Sequence, residues 1–367
     1  MKTGISLVDL AKELERRSAA KTDYIAPAER LEMAVDPVAQ TPLLKLVGGE
    51  QAFAVNSVAH NQIAEYAGIP MQYYRRMAAE APALLASNVN RWLQDKAQAN
   101  ERRMIRTLDG NVRAVLSDKY RALENEDLAE AILPVLLDRK LLIMSCQVTE
   151  TRLYIKAVDS TIERDVPTGR RMGDGTHTIF DTVCPAISIS NSEVGHGALS
   201  IETGVYTRAC TNLALFGASM RKYHTGARAE LSDDVYALLT DKTKRLTDAA
   251  VWSQTRDLVA AAFDEAKFEA IAKKLGQATE DRIVDSDPVG VIEVVGKRLN
   301  LTEGERKGVL SSLIECGDLT RYGVHAAITH YSQRVEDYDR ATELERAGAK
   351  VIELPRNDWQ EIVKAAA

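Results

Sequence analysis

The hydrophobic positions of the first hundred residues are spaced mainly as they are in helices. Leu10 and Leu14 share one face of a predicted helix, which Ser6 is placed to cap. The same spacing returns over residues 58–93, behind a candidate cap at Asn56. Strand-like alternation is confined here to two short runs, at residues 31–35 and 53–55.

The second helical stretch is interrupted at Gly68-Ile69-Pro70, where glycine suits the end of one helix and proline the first turn of the next. The segment Gln62–Met77 therefore has the outline of a helix-turn-helix, whose second helix would enter the major groove of DNA. A packed helical hairpin has the same outline. We favour the hairpin because Tyr73 and Tyr74 are predicted to anchor a core.

Strand signals dominate from residue 102 onward. The clearest is a hairpin over residues 102–117, whose Asp109-Gly110 dipeptide is typical of a type I′ turn. A helix is predicted over residues 127–137 behind a cap at Asn125, and the glycine-rich segment 167–175 is predicted to be a mobile surface loop. Further strands are predicted at residues 141–148, 152–158, 181–190 and 198–207.

The last third of the chain returns to helical spacing. Residues 351–355 suggest a short edge strand, and Asp358 suggests a cap for a final helix. Other helices are predicted at residues 235–273, 291–299, 303–313 and 324–347.

Together the patterns predict an α+β fold. A curved antiparallel sheet of long hairpins is expected to be flanked by helices and followed by the helical C-terminal third. We expect a mainly helical N-terminal lobe over residues 1–100, an antiparallel β core over 101–228, and a helical lobe over 229–367 that packs on the core.

The composition is that of an ordinary globular protein, with 45% hydrophobic and 27% charged residues in 367. The N-terminus shows no signal-peptide pattern and no apolar run is long enough to cross a bilayer, so we expect a cytoplasmic protein without a membrane partner. The four cysteines are far apart and form no CxxC pair, which fits a reducing compartment. The net charge of −6 argues against a uniformly basic surface but not against a local basic groove.

The sequence lacks the minimal motifs of P-loop nucleotide hydrolases, HExxH zinc proteases and GxSxG hydrolases. Two thiols and two imidazoles, those of Cys184, His196, Cys210 and His224, have the chemistry for a zinc site. The alternative that we favour is that Cys184 and Cys210 fill core space on neighbouring strands.

Carboxylates crowd the segment around residue 340 and have the chemistry to bind a divalent metal for nuclease activity. A solvated helix face, with arginines interleaved at helical spacing, is the favoured alternative. The carboxylates are Asp337, Asp339, Glu343 and Glu345, and the arginines are Arg334, Arg340 and Arg346. No catalytic residue, bound metal or cofactor is predicted.

Positive charge is concentrated around the first hairpin, in the segment 167–175, and over residues 203–229, which contain no acidic residue. Aromatic residues among these cations would let bases stack while phosphates are neutralised. The predicted nucleic-acid-binding residues are Arg106, Arg113, Lys119, Tyr120, Arg121, Arg170, Arg171, Arg208, Arg221, Lys222 and His224. The alternative is that the arginines pair with acidic residues of the helical third.

Segments in four parts of the chain, between about residues 53 and 360, together resemble the family called domain of unknown function 932. They are Gln62–Met77 with Asn88–Leu93, Arg106–Leu108 with Val112–Arg121, Asn191–Gly195 with Gly204–Tyr206 and Cys210–Asn212, and Asp318–Gly323 with Ala326–Thr329 and Tyr338–Glu345. Leu213 departs from the resemblance, since glycine is expected there. The resemblance implies a setting of phages, prophages and plasmids and no established reaction.

These observations lead to the hypothesis that the chain binds single-stranded DNA without sequence specificity and promotes strand annealing in recombination as a homo-oligomer. A metal-dependent nucleic-acid enzyme is one alternative. A regulatory protein that binds a phage or host protein is the other.

Overall fold

A computed structural model describes residues 1–47, 51–173, 175–222, 241–283 and 287–366, and it describes the side chains of all of these except 218–222 and 241–245. The fold is α+β, as predicted, and contains two six-stranded sheets. Within the described part of the chain, no helix is long and apolar enough to span a bilayer.

The first sheet contains β1 (Lys21–Pro27), β2 (Leu31–Val35), β3 (Pro42–Leu46), β4 (Ala52–Val55), β5 (Arg102–Leu108) and β6 (Asn111–Ser117). Its strand order is β1-β5-β6-β4-β3-β2. The pairing of β4 with β6 is parallel, and the other pairs are antiparallel. This sheet crosses the domain boundary predicted at residue 100, and the division into three parts stays a prediction.

The second sheet contains β7 (Leu142–Val148), β8 (Leu153–Val158), β9 (Arg164–Arg171), β10 (Thr178–Asn191), β11 (Leu199–Thr207) and β12 (Asn212–Lys222). Its order is β12-β11-β10-β8-β7, and β9 pairs with β10. The long antiparallel β10–β11 hairpin forms its centre, as the alternation at residues 181–190 and 198–207 predicted.

The helices of the first half are α1 (Leu7–Ala20), α2 (Ser57–Ala67), α3 (Met71–Glu80), α4 (Pro82–Gln98) and α5 (Asn125–Asp138). Those described in the second half are α6 (Asp241–Ala261), α7 (Glu265–Ala278), α8 (Pro288–Arg298), α9 (Glu303–Cys316), α10 (Arg321–Ser332), α11 (Tyr338–Glu353) and α12 (Arg356–Ala365). The C-terminal third is therefore helical, as predicted.

Helices cover the second sheet on both faces. Along β8, Leu153 and Ile155 point into a core shared with α1, α5 and α6. Tyr154 and Lys156, one residue out of phase, point to α11, where the Tyr154 ring lies 5.2 Å from that of Tyr338. Since successive side chains of a strand point to opposite faces, every residue of β8 is buried.

Several local predictions are confirmed. Asp109 and Gly110 both have positive φ, as a type I′ turn requires. The side chains of Ser6 and Asn56 accept backbone N–H groups at the starts of α1 and α2. Gly68 ends α2 in the left-handed conformation.

Other local predictions are wrong. Most of the predicted loop 167–175 belongs to β9, because its backbone pairs with β10. The predicted helix 324–347 is two helices, and Asp337 caps the second. Residues 351–353 continue α11 instead of forming an edge strand, and the next helix follows Pro355 with Asp358 inside its first turn.

Two expectations about single residues also need correction. Asn125 is the first residue of α5, and Glu124 holds the cap position. Tyr74 is buried in the core on the first sheet, as predicted, but Tyr73 is about half exposed because it lies on the outer face of α3.

Candidate anion site at the junction of the two sheets

Arg113 occupies an irregular position in β6. Thr107 of β5 pairs with Val112, and Arg106 pairs with Ala114, so Arg113 is an extra residue in the ladder. Such a β-bulge turns a side chain out of the ordinary alternation and is common beside functional sites. The Arg113 side chain is directed inward and is only 8% exposed.

The guanidinium of Arg113 is only partly satisfied inside the protein. Its Nη1 donates to Oε2 of Glu193 over 2.8 Å. Its Nε and Nη2 are buried and have no hydrogen-bond partner. Leaving a buried donor unpaired costs about 1–3 kcal/mol.

Arg113 lines a cavity of about 230 Å³ between the two sheets. Four parts of the chain surround it: α1, the β4–α2 connection, the β5–β6 hairpin and the turn between β7 and β8. The other lining residues are Arg17, Ala54, Val55, Asn56, Leu108, Asp109, Asn111 and Glu150.

The amino end of α2 also lies at this cavity. β4 runs parallel to β6 and leads through Asn56 directly into the helix. The first intrahelical hydrogen bond runs from the N–H of His60 to Asn56, so the earlier N–H groups lack an intrahelical acceptor. A helix terminus of this kind carries partial positive charge and favours an anion.

The remaining charges at the cavity are mixed. Arg17 lies at its wall, where its Nη1 donates to the carbonyl of Thr149 over 3.3 Å. Asp109 forms an ion pair with Arg16 over 2.7 Å. Glu150 accepts a hydrogen bond from a hydroxyl at the first position of α2 over 3.1 Å. Arg17 also pairs with Glu13 over 2.6 Å. The cavity is therefore lined by two paired arginines and two carboxylates.

Arg106 is buried beside this cavity, with no exposed surface. Its guanidinium donates to Asp23 over 3.0 Å, to Glu124 over 2.6 Å and to the backbone carbonyl of Glu193 over 2.8 Å. Burial opposes the ionisation of Glu124, but Arg106 and Lys21 outweigh it and lower the pKa of that carboxyl to about 2. Contrary to the prediction, Arg106 lies away from any surface that a nucleic acid can reach.

Glu193 lies at the centre of a network of buried hydrogen bonds that includes Arg113, Arg106 and Asn125. While one carboxylate oxygen accepts from Arg113, the other accepts from the backbone N–H of Asn125 over 2.7 Å. Asn191 completes the link, since its amide donates to the carbonyl of Leu123 and to the side chain of Asn125. The network ties the first sheet to α5 and to the end of β10.

Two further side chains hold the segment that follows β10. Gln62 of α2 donates to the carbonyl of Val194 over 2.7 Å and accepts from the N–H of Val115 over 2.7 Å. The Tyr120 hydroxyl donates to the carbonyl of Ser192 over 3.2 Å. Three of the four segments that carry the predicted family resemblance thus meet at this junction.

The other predicted nucleic-acid-binding residues are dispersed. Arg121 pairs with Asp248, and Arg208 pairs with Glu163. Arg170 pairs with Asp181 over 2.9 Å. The arginines therefore do pair with acidic residues, but most of the partners lie outside the helical third.

Three predicted cations face solvent, and Arg208 is one of them although it pairs with Glu163. Lys119 lies exposed after β6, and Arg171 lies exposed at the end of β9, where its Nη1 donates to the carbonyl of Thr176 over 3.2 Å. The side chains of Arg221 and Lys222, and all of His224, lie outside the described residues.

The four predicted zinc ligands do not converge. Cys184 pairs in register with Tyr206 near one end of the β10–β11 hairpin, while His196 lies in the turn at the other end, roughly 20 Å away at about 3.4 Å per residue. Cys184 is buried among apolar neighbours, as the core-filling alternative predicted. That alternative is wrong for Cys210, which lies in the turn between β11 and β12 and is only partly buried. Within the described ranges, no three His, Cys, Asp or Glu side chains are arranged to hold a metal ion.

The acidic segment near residue 340 is not simply a solvated helix face. Asp339 and Glu343 line a second cavity of about 290 Å³ together with His196. Glu345 is fully buried against Lys156. Of the predicted internal pairs, Arg340 with Glu343 is present, over 2.6 Å.

Sequence reasoning missed several residues of the candidate site. Arg17 and Glu150 are distant in sequence from Arg113 and give no local signal. The polar run Asn191-Ser192-Glu193, between two apolar strands, is a signal that could have indicated a buried polar junction.

No family model, curated protein or solved structure matches this chain.

Proposed function

We propose that this chain binds single-stranded nucleic acid, with the cavity at Arg113 as the seat of one phosphate. The proposal rests on two arginines, Arg113 and Arg17, that line one cavity together with Asn56 at the amino end of α2. Guanidinium groups and helix N-termini are the protein groups that phosphate oxygens bind most readily.

Binding through this site involves few phosphates, because most predicted cations already pair with carboxylates of the chain. The slope of log affinity against log salt is about −0.7 per neutralised phosphate of a single strand. We therefore expect a slope between about −0.7 and −2, corresponding to one to three phosphates. We expect a flexible strand to reach the cavity more readily than a rigid duplex, because four chain segments surround it.

The test is fluorescence anisotropy of a labelled single-stranded oligonucleotide and a duplex of equal length, at low and moderate salt. The informative variant is Arg113→Gln with Glu193→Gln, which removes both charges of the buried pair and leaves neither stranded. The matched control is Arg356→Gln, an exposed arginine of α12 that does not line the cavity.

The wild type and the control should prefer the single strand. The double variant should bind the single strand about tenfold more weakly than the wild type, as expected for losing a charged hydrogen bond. Thermal unfolding of each variant checks that the fold survives. Absence of binding to either oligonucleotide, or unchanged affinity of a folded double variant, would overturn the proposal. Turnover of the oligonucleotide that stops on adding a chelator would favour the metal-dependent enzyme instead. Annealing and homo-oligomer formation stay predictions.

A further inference from the structure

We infer that the second cavity, of about 290 Å³, binds a free α-amino acid through the ligand's carboxylate and ammonium groups. The inference goes beyond the proposed nucleic-acid binding, because this cavity shares no lining residue with the cavity at Arg113. It is carried by one cation and one anion of the wall, Arg152 and Asp339.

Arg152 is a half-buried cation at the end of the turn between β7 and β8. Its Nη1 makes a long hydrogen bond of 3.4 Å to the hydroxyl of Ser190. A methyl group on Gly197, which also lines the cavity, would overlap the guanidinium, so Arg152 packs directly against the backbone of the β10–β11 connection. In the part of the chain that the structure describes, no carboxylate forms an ion pair with Arg152.

Asp339, in the first turn of α11, is held by hydroxyl groups. The hydroxyl of Thr149 lies 3.2 Å from both carboxylate oxygens, and Oδ2 also accepts from the hydroxyl of Thr151. Among the described side chains, no lysine, arginine or histidine forms an ion pair with it. A carboxylate has about four acceptor positions, so Asp339 can still accept from an ammonium group.

The two unpaired charges are held by the same turn. The N–H of Thr149 donates to the carbonyl of Arg152 over 2.8 Å, so the hydroxyls that hold Asp339 and the backbone of Arg152 belong to one closed turn. Both charges also act on Tyr154, which lines the cavity: burial raises the pKa of its hydroxyl, Asp339 raises it further and Arg152 opposes them. One small molecule can therefore contact both charges.

The other charged side chains at this cavity already have partners. Arg346 donates twice to Glu202, over 2.8 and 2.6 Å, and Glu343 pairs with Arg340 over 2.6 Å. His196, the remaining ionisable residue of the wall, is exposed. The charges left for a ligand are therefore of both signs.

This pattern favours a zwitterion over a ligand with one charge. A carboxylate matches the guanidinium of Arg152, but a simple anion would also be repelled by Asp339 and Glu343. A simple amine meets the opposite repulsion at Arg152. The volume of about 290 Å³ is near the lower end of the range of about 300–1,000 Å³ for ligand pockets, so the ligand is small. An α-amino acid carries both charged groups on one carbon atom.

The experiment is a ligand-observed NMR titration of the full chain with the standard L-amino acids in pools. We expect at least one of them to bind. Its α-hydroxy acid analogue has a hydroxyl in place of the ammonium, and its α-carboxamide has a neutral amide in place of the carboxylate. Each analogue should bind at least about tenfold more weakly, from the loss of a charged hydrogen bond. This comparison uses the wild type and does not depend on the folding of a variant.

The variants assign the binding to this cavity. Arg152→Gln and Asp339→Asn should each weaken it about tenfold. The matched controls Arg356→Gln and Glu336→Gln alter exposed residues that do not line the cavity, and they should leave it unchanged.

Four outcomes would overturn the inference. A hydroxy acid that binds as tightly as the amino acid would identify a plain anion site, and an equally tight carboxamide would identify a plain cation site. The other two are no binding of any amino acid, and unchanged binding by the folded Arg152 and Asp339 variants. None of these outcomes bears on the cavity at Arg113, which the oligonucleotide titration tests separately.

Discussion

The pair formed by Lys156 and Glu345 should be the most sensitive charged contact of the second sheet. The two side chains meet over 2.6 Å with no exposed surface, and Nζ of Lys156 also donates to Thr342 over 3.1 Å. Burial lowers the pKa of Lys156, although Glu345 opposes that effect. Replacing Lys156 by methionine keeps the length of the side chain but strands the carboxyl of Glu345 in the core.

The loss of unfolding free energy is limited by the cost of neutralising the charged group that remains. A carboxyl without its partner takes up a proton, which at pH 7 costs at most about 4 kcal/mol from the ordinary pKa of glutamate. A stranded lysine loses its proton at a cost of at most about 5 kcal/mol. These limits agree with the loss of about 3–5 kcal/mol found when one partner of a buried pair is removed.

The assay is denaturant unfolding of Lys156→Met, Glu345→Leu and the double variant. Each single change should lower the free energy of unfolding by about 3–5 kcal/mol, and the double change should cost far less than their sum. The deficit of Lys156→Met relative to wild type should also shrink by about 1.4 kcal/mol per unit as the pH falls from 7 to 5, because protonating the carboxyl becomes cheaper. Additive single effects, or a deficit that does not depend on pH, would refute this reasoning.

Substitutions at three other sites, with matched controls, test features of the fold by the same unfolding assay. Gly197→Ala should lower the free energy of unfolding by about 1–3 kcal/mol, because the residue has a φ of 120° and a methyl group there would overlap the guanidinium of Arg152. As a control, Gly173→Ala should change it by less than about 0.5 kcal/mol, because a methyl group there contacts no other atom. Thr302→Ala should cost about 1 kcal/mol by removing the capping box of α9, and Thr302→Ser should not. Burial lowers the pKa of His325 to about 4, so its unfolded form binds the proton first and stability is lost as the pH falls from about 6.5 to 4, by about 3 kcal/mol in total. A folded His325→Gln variant whose stability falls as steeply over that range would contradict the last expectation.

Local chemistry accounts for the elements that the sequence predicted correctly. The Asp109-Gly110 turn and the caps at Ser6 and Asn56 depend on backbone conformations and hydrogen bonds within a few residues. Strand β1 has no comparable signal. Its residues Lys21–Pro27 mix polar side chains with a proline, and they form a strand because β5 offers a partner more than seventy residues later.

The same limit applies to the candidate site. Arg113 was among the predicted binding residues because its segment is rich in positive charge, but its inward direction depends on a bulge that regular alternation does not reveal. The burial of Lys156 has no local signal either, since alternation along a strand would suggest a solvent-facing side for a lysine. It is buried because helices cover both faces of the sheet, which only the tertiary fold determines.

The strand order of the first sheet also bears on how the chain folds. Strands β2, β3 and β4 pair with one another in sequence order, whereas β1 and the other edge of β4 need the hairpin formed by β5 and β6. During synthesis, Lys21 must therefore wait for Leu108 before its strand has a partner. Closing so long a loop is slow compared with forming a local hairpin. In pulsed hydrogen exchange during refolding, the amides of β2 and β3 should become protected before those of β1, and simultaneous protection would show that the sheet assembles in a single step.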